Sequence, residues 1–103
     1  MNQIESVSVV YFDNHTKISE AELGSSDPRL KKFVDWLHFN RDGWKKYYAT
    51  VAPGKMLIKG KGFSLNVGEN WVILNYEKAP DNYEQLSKSI TSEELSFISK
   101  SAP

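Results

Sequence analysis

The sequence predicts an α+β fold, one small domain in which an antiparallel meander sheet packs against one main helix and short C-terminal helices. Three observations lead there. A capped amphipathic helix is written into residues 27–40, period-two apolar runs separated by glycine turns fill residues 44–76, and two short capping patterns follow Pro80. With 103 residues, 40% of them hydrophobic and 25% charged, the chain reads as a single α+β domain over residues 1–103. A chain of this size buries roughly two-thirds of its unfolded surface, enough for one core.

The first strand is residues 4–12, β-branched and aromatic, with Val7, Val9 and Tyr11 on one face. The polar stretch 13–26, with Asn14, Gly24, Ser25 and Ser26, reads as a connection that Ile18, Ala21 and Leu23 tack to the core. Asp27 is a favourable N-cap and Pro28 fits the first helical position. Leu30, Phe33, Val34 and Leu37 then recur at i, i+3, i+4 and i+7, which defines the buried stripe of a helix. Residues 40–43 end it; Arg29, Lys31, Lys32 and Asp35 fall on its wet face, and Trp36 flanks the stripe.

From Trp44 the period becomes two. Residues 44–51 and 55–59 are expected strands around an Ala52-Pro53-Gly54 turn. Phe63, Leu65 and Val67 alternate with Ser64 and Asn66, and Gly68-Glu69-Asn70 turns the chain into residues 71–76. That last run is almost continuously apolar, as a strand covered on both faces is. The four strands are expected to pair in sequence order. Beyond Pro80, Asp81 with Glu84 and Thr91 with Glu94 have capping-box spacing. They predict two short helices, one carrying Tyr83, Leu86 and Ile90 and the other Leu95 and Ile98, before a fraying tail over residues 99–103.

Several function classes find no support. The absence of cysteine excludes a disulfide framework and Cys-ligated metal. Strictly apolar runs such as Trp71-Val72-Ile73-Leu74 stop at four residues, against the about 20 a membrane helix needs. Residues 1–5 lack the basic start and apolar stretch of a signal peptide, so a cytoplasmic location is expected. His15 and His38 sit in different elements, form no metal-ligand pair and read as surface residues. No Gly-x-Ser-x-Gly, phosphate loop or His-Glu-x-x-His is present, and no nucleophile has an activating neighbour. The expectation is a protein without catalysis, metal or cofactor.

The formal net charge is zero, yet residues 29–61 carry nine bases against Asp35 and Asp42. Residues 1–28 carry five acids and one base, and residues 62–103 six acids and three bases. A basic middle of this kind suits an acidic protein or a nucleic acid, unless folding interleaves the segments. Trp44-Lys45-Lys46-Tyr47-Tyr48 interleaves bases with aromatics, and Lys55, Lys59 and Lys61 are expected on the neighbouring hairpin. Rings stack on unpaired bases and cations attract phosphates. Lys61-Gly62-Phe63 even begins like the strand signature of an RNA-recognition motif, but Ser64 and Leu65 break it. The opposing reading sends alternate aromatics into the core and uses the lysines to keep exposed strands apart. The candidate partner-binding residues are Arg41, Trp44, Lys45, Lys46, Tyr48, Lys55, Lys59 and Lys61. The acidic counterpart is the segment 13–22 with Glu93 and Glu94. Trp36, Trp44 and Trp71 read first as core or core edge, Asp27, Glu84 and Glu94 as helix caps, and Asn66 and Asn75 as turn or strand-end partners of the backbone.

Trp36, Asn40, Gly43-Trp44, Tyr47, Thr50, Pro53-Gly54, Phe63-Ser64-Leu65-Asn66 and Val72-Ile73-Leu74-Asn75-Tyr76 form a spaced pattern over residues 36–76. It resembles that of small immunity proteins of bacterial polymorphic toxin systems, including those of contact-dependent inhibition and Rhs-type toxins. The resemblance implies a cytoplasmic α+β domain without catalysis that binds a cognate toxin domain and blocks its active site or a surface it needs. It carries over no binding residue, because members of the family differ there. Tight interfaces draw their energy from a few Trp, Tyr and Arg anchors, with charge complementarity speeding encounter; the basic or the acidic surface could serve, and the basic middle is the expected contact because its nine bases against two acids make the larger bias. The expected partner is a cognate toxin domain, with neither membrane nor nucleic acid involved, and the protein is expected as a monomer or weak homodimer. The alternative is a small nucleic-acid-binding or regulatory interaction domain that uses the basic aromatic segment 41–61.

Overall fold

Helix α1 (Pro28–Phe39) forms where its caps and periodicity place it. Asp27, with φ −83° and ψ 121°, accepts a hydrogen bond from the Arg29 backbone N–H at 2.9 Å, and Pro28 opens the first turn. At the other end the Asn40 backbone N–H donates to the Trp36 and Leu37 carbonyls, and its side-chain amide donates to Trp36 as well. Leu30, Phe33 and Trp36 are buried; Trp36 belongs to the stripe rather than to its flank.

The computed structural model describes residues 4–14, 16–48 and 54–99. His15, residues 49–53 of the expected strand and turn (Thr50 and Pro53 among them), and residues 100–103 of the expected tail lie outside these. In chain order, β1 (Val7–Asp13) and β2 (Thr16–Leu23) precede α1. β3 (Lys45–Lys46), β4 (Met56–Gly60), β5 (Phe63–Val67), β6 (Trp71–Ala79), β7 (Asn82–Ser89) and the short α2 (Ser96–Ser99) follow it. The strands make one sheet in the order β2-β1-β4-β5-β6-β7-β3, with every pairing antiparallel. The α+β architecture is the expected one, with helices on one face of a single sheet. Among the described residues no helix is long and apolar enough to cross a membrane.

Three expectations are corrected. Residues 13–26 are not a bare connection, because β2 pairs back on β1. Asn14 turns the chain with φ 51°, a left-handed conformation that Asn tolerates. β2 is an edge strand that buries Leu23 and half-buries Ala21 while the rest of it faces water. A register shift opposite Tyr11 and Phe12 breaks its alternation, so the period is hidden in the sequence.

The segment after Pro80 is a strand and not a helix. Ala79 pairs with Asn82 around Pro80-Asp81, and Asp81 takes φ 62°. Proline at the first turn position with a left-handed residue at the second makes a tight hairpin, and the apolar β6 needs a partner along its length. Glu84 is therefore no helix cap.

The expected strand at 44–51 is, among the described residues, only Lys45–Lys46, and it pairs with β7 instead of β4. The meander is real but consists of β4, β5, β6 and β7.

The core lies between the sheet and its two helices. Val7, Val9, Tyr11, Met56, Ile58, Phe63, Leu65, Val67, Val72 and Leu74 face Leu30, Phe33, Trp36, Leu95 and Ile98. Phe33, fully buried, stacks its ring on both Trp36 and Phe63 with centroids 6.4 Å apart in each case. The C-terminal segment is fastened by two long-range bonds. Tyr11 Oη donates to the Ile98 carbonyl at 3.0 Å, and Trp36 Nε1 donates to Glu94 Oε2 at 2.7 Å. Glu94 also accepts from the Thr91 N–H at 3.3 Å, the capping contact its spacing predicts.

Phe33→Ala should cost about 3–5 kcal/mol in urea unfolding, since it opens a cavity beneath two aromatic rings. Gly54→Ala should also destabilise measurably, because its Cβ would stand 2.2 Å from the Val67 carbonyl oxygen; Gly24→Ala, with nothing within 4 Å, is the matched control.

Candidate protein-binding face

A strand exposes its side chains alternately, so the residues between the core positions line the far side of the sheet. One rung there runs through Val10, Leu57, Asn66, Ile73, Ser87 and Lys45. The next runs through Ser8, Lys59, Ser64, Asn75 and Gln85. This face carries a concavity of about 840 Å³. Its apolar base is Phe12, Leu57 and Ile73, and Ser64, Asn66, Asn75 and Gln85 supply hydroxyl and carboxamide groups. Tyr47, Tyr48, Asn82 and Tyr83 line it as well, joined by Lys46, Lys78 and Glu84.

Local bonds fix this lining. Tyr47 N–H donates to the Gln85 carbonyl, and Gln85 Nε2 donates back to the Tyr47 carbonyl, both at 3.0 Å. The Gly54 N–H donates to Asn66 Oδ1 at 2.9 Å. Glu84 accepts a hydrogen bond from the Tyr76 hydroxyl, and its carboxylate lies 3.7 Å from Lys46 Nζ and 3.8 Å from Lys78 Nζ. The Tyr76 bond holds the Glu84 carboxyl below its ordinary value against partial desolvation, and the Lys78 and Lys46 charges add to the effect. The same bond and burial raise the Tyr76 hydroxyl above its usual value.

The sequence-predicted residues separate into distinct places. Trp44 is half-buried, its ring edge-on to Trp36 at 6.3 Å, and its Nε1 donates to the Asn40 carbonyl at 2.5 Å. Arg41 is exposed just past the helix cap. Lys45 and Lys46 form the β3 edge, and Tyr48 follows, 87% exposed. Lys55 is half-buried where its backbone bonds to Phe12 and Val67. Lys59 and Lys61 are exposed on β4 and its turn, and Lys59 lies near enough to Glu20 to help lower that carboxyl, below the larger effect of Lys17. β3 and β4 are not neighbours: four inter-strand steps separate them, roughly 19 Å at the usual spacing. The basic middle is thus divided in the fold. Tyr48 and Lys46 line the concavity; Lys55, Lys59, Lys61 and Arg41 do not.

Sequence reasoning missed Phe12, Ser64, Asn66, Asn75, Asn82, Tyr83 and Gln85 as surface-forming residues. The alternation of Ser64 and Asn66 with buried neighbours was the available signal; Asn82, Tyr83 and Gln85 were hidden by the helix expected there. Trp36 is core and Trp71 half-buried, His38 is exposed, and Tyr47 is half-buried beside the exposed Tyr48. Among the described residues no group of three His, Cys, Asp or Glu side chains is placed to hold a metal ion. Comparison with protein families, with characterised proteins and with solved structures finds no match to this chain.

The sign of the Glu84 shift sets a pH dependence. Its folded value is depressed, so its stabilisation is present above the ordinary value of 4.5 and lost as pH falls through the folded one. Glu84→Gln should therefore flatten the fall of the thermal midpoint below about pH 4.5, measured by circular dichroism. Glu20 and Asp27, also depressed, retain the remainder of that slope.

Proposed function

We propose that the chain is an immunity-type inhibitor, a cytoplasmic binding protein without catalysis that neutralises a cognate bacterial toxin domain by direct contact through the concave sheet face. The observation that carries this reading is the lining of that face: tyrosines, carboxamides and a few charges on a sheet whose other side is committed to the core. Tyrosine supplies large contact area at small entropic cost, and Asn, Gln and Ser adapt to a partner's backbone. A specific interface takes about 800 Å² from each partner, and the two longer dimensions of the molecule, 36 and 31 Å, leave room for that on one face. The resemblance over residues 36–76 points to the same class.

The alternative, a nucleic-acid-binding domain on segment 41–61, draws on the same tyrosines. It is weakened by the division of the basic residues across the sheet, since a phosphate backbone needs a continuous row of cations.

Co-expressed with its cognate toxin domain, the chain should restore growth, and the two proteins should purify as a one-to-one complex free of nucleic acid. Continued killing would sink the reading. Tyr48→Ala and Tyr83→Ala act at positions 87% and 65% exposed. Together they should weaken the complex about tenfold or more by calorimetry and leave the thermal midpoint of the free protein nearly unchanged.

A further inference from the structure

We infer that Glu77 and Tyr83, opposite each other on the free end of the β6–β7 hairpin, receive an arginine side chain from the partner, its guanidinium lying on the tyrosine ring and forking to the carboxylate. The inference rests on the binding-face reading and deepens it by naming one residue type that the partner presents.

The hairpin carries two tyrosine–glutamate pairs at successive register positions, Tyr76 with Glu84 and Glu77 with Tyr83. Successive strand residues point to opposite sides of a sheet. Tyr76 shares its rung with the buried Phe63 on the helix side, so Glu77 and Tyr83 lie on the far side. The first pair is closed: Tyr76 donates to Glu84, and Lys46 and Lys78 stand 3.7 and 3.8 Å from that carboxylate. The second pair is open. Among the described residues Glu77 has no ion pair or side-chain hydrogen bond, Tyr83 has no cation over its ring, and Lys61 of the adjoining turn is paired with neither. Both side chains reach solvent, Tyr83 at 65% exposure. The Glu77 N–H donates toward β5, to the Gly62 carbonyl. Glu77 and Tyr83 are therefore a non-hydrogen-bonded pair of the β6–β7 ladder, the kind with Cα atoms about 4.5 Å apart and side chains closest. Past Glu77 and before Gln85 no described strand flanks the hairpin, and Pro80 with Asp81, at φ 62°, holds its turn. A partner can thus reach a ring face and a carboxylate side by side. Arginine fits them together, because its planar guanidinium stacks on a ring while paired N–H groups bond a carboxylate; the lysine ammonium is a point charge with no plane to stack. An acidic side chain or a phosphate would meet Glu77 as a like charge.

The test is an NMR titration of the full chain with the acetylated, amidated peptide Gly-Gly-Arg-Gly-Gly and with counterparts carrying Lys or Gln at the centre. The arginine peptide should shift the Glu77 and Tyr83 amides and the Tyr83 ring with one saturating midpoint, about two- to fivefold below that of the lysine peptide. The glutamine peptide should shift neither residue. Glu77→Gln and Tyr83→Leu should each raise the arginine midpoint about threefold or more. Tyr83→Phe keeps the ring and should leave the midpoint near its starting value. Glu22→Gln removes another exposed strand carboxylate, one with Ser8 and no ring opposite, and should change nothing. Equal midpoints for lysine and arginine, shifts from the glutamine peptide, or shifts spread over carboxylates across the surface would overturn the inference. Circular dichroism checks the fold of each variant, and the exposed isosteric change Glu77→Gln keeps the test decisive should Tyr83→Leu disturb the hairpin. Protection from the toxin without arginine-peptide shifts would sink this inference alone. Arginine-peptide binding without protection would sink the inhibitor reading and leave the pair standing.

Discussion

The structure depends on one crossing. β2 and β3 are the two outermost strands of the sheet, and α1 is the element that joins them. Six inter-strand steps span roughly 29 Å, while the 12 residues of the helix reach about 18 Å; the links at residues 24–27 and 40–44 make up the difference. A helix obliged to travel from edge to edge must lie over the strands between. Its apolar stripe, Leu30, Phe33 and Trp36, shares one buried cluster with residues of β1, β4, β5 and β6, and Phe33 stacks on Trp36 and Phe63. The caps at Asp27 and Asn40 matter because they set where this bridge begins and ends.

Once one side of the sheet is given to the helices, the other is available for contact. The same alternation that buries Phe63, Leu65 and Val67 turns Ser64 and Asn66 outward, so the polar lining of the concavity follows directly from the core pattern. The bonds between Tyr47 and Gln85 and between Gly54 and Asn66 tie the chain on either side of residues 49–53 to that lining. On the proposed reading, a polar and aromatic surface of this kind binds by fit and charge, and its affinity depends on how little has to be ordered when a partner arrives.

Much of this was legible in the residues. Asp27, Pro28 and the i, i+3, i+4, i+7 stripe fixed α1, and strict alternation fixed β5. Thr91 with Glu94 located the C-terminal turn, and Leu95 and Ile98 are buried as their spacing required. Two strands were illegible for physical reasons. β2 lies at an edge and carries a register shift, so it needs few apolar residues and shows no clean period. β7 has Leu86 between polar neighbours, and its Asp81-to-Glu84 spacing imitates a cap although Pro80-Asp81 makes a hairpin turn. The surface was the least legible part. Nearness in sequence suggested that Lys45 and Lys46 would adjoin Lys55, Lys59 and Lys61, whereas the sheet inserts three strands between them. Only tertiary pairing decides that, and no local signal records it.

The pairing of β3 with β7, and the bond from Tyr11 to a carbonyl 87 residues further along, also fix the sequence of events during synthesis. Of the sheet that the bridge helix will cover, the β1–β2 hairpin precedes it in the chain, and the other strands have yet to be made when it leaves the ribosome. Its greasy stripe stays open until the meander arrives, and the farthest edge zips up last. Such distant closures are slow to nucleate and expose sticky intermediates on the way. Between the synthesis of α1 and that of β7, the helix therefore lacks most of the strands that bury its stripe.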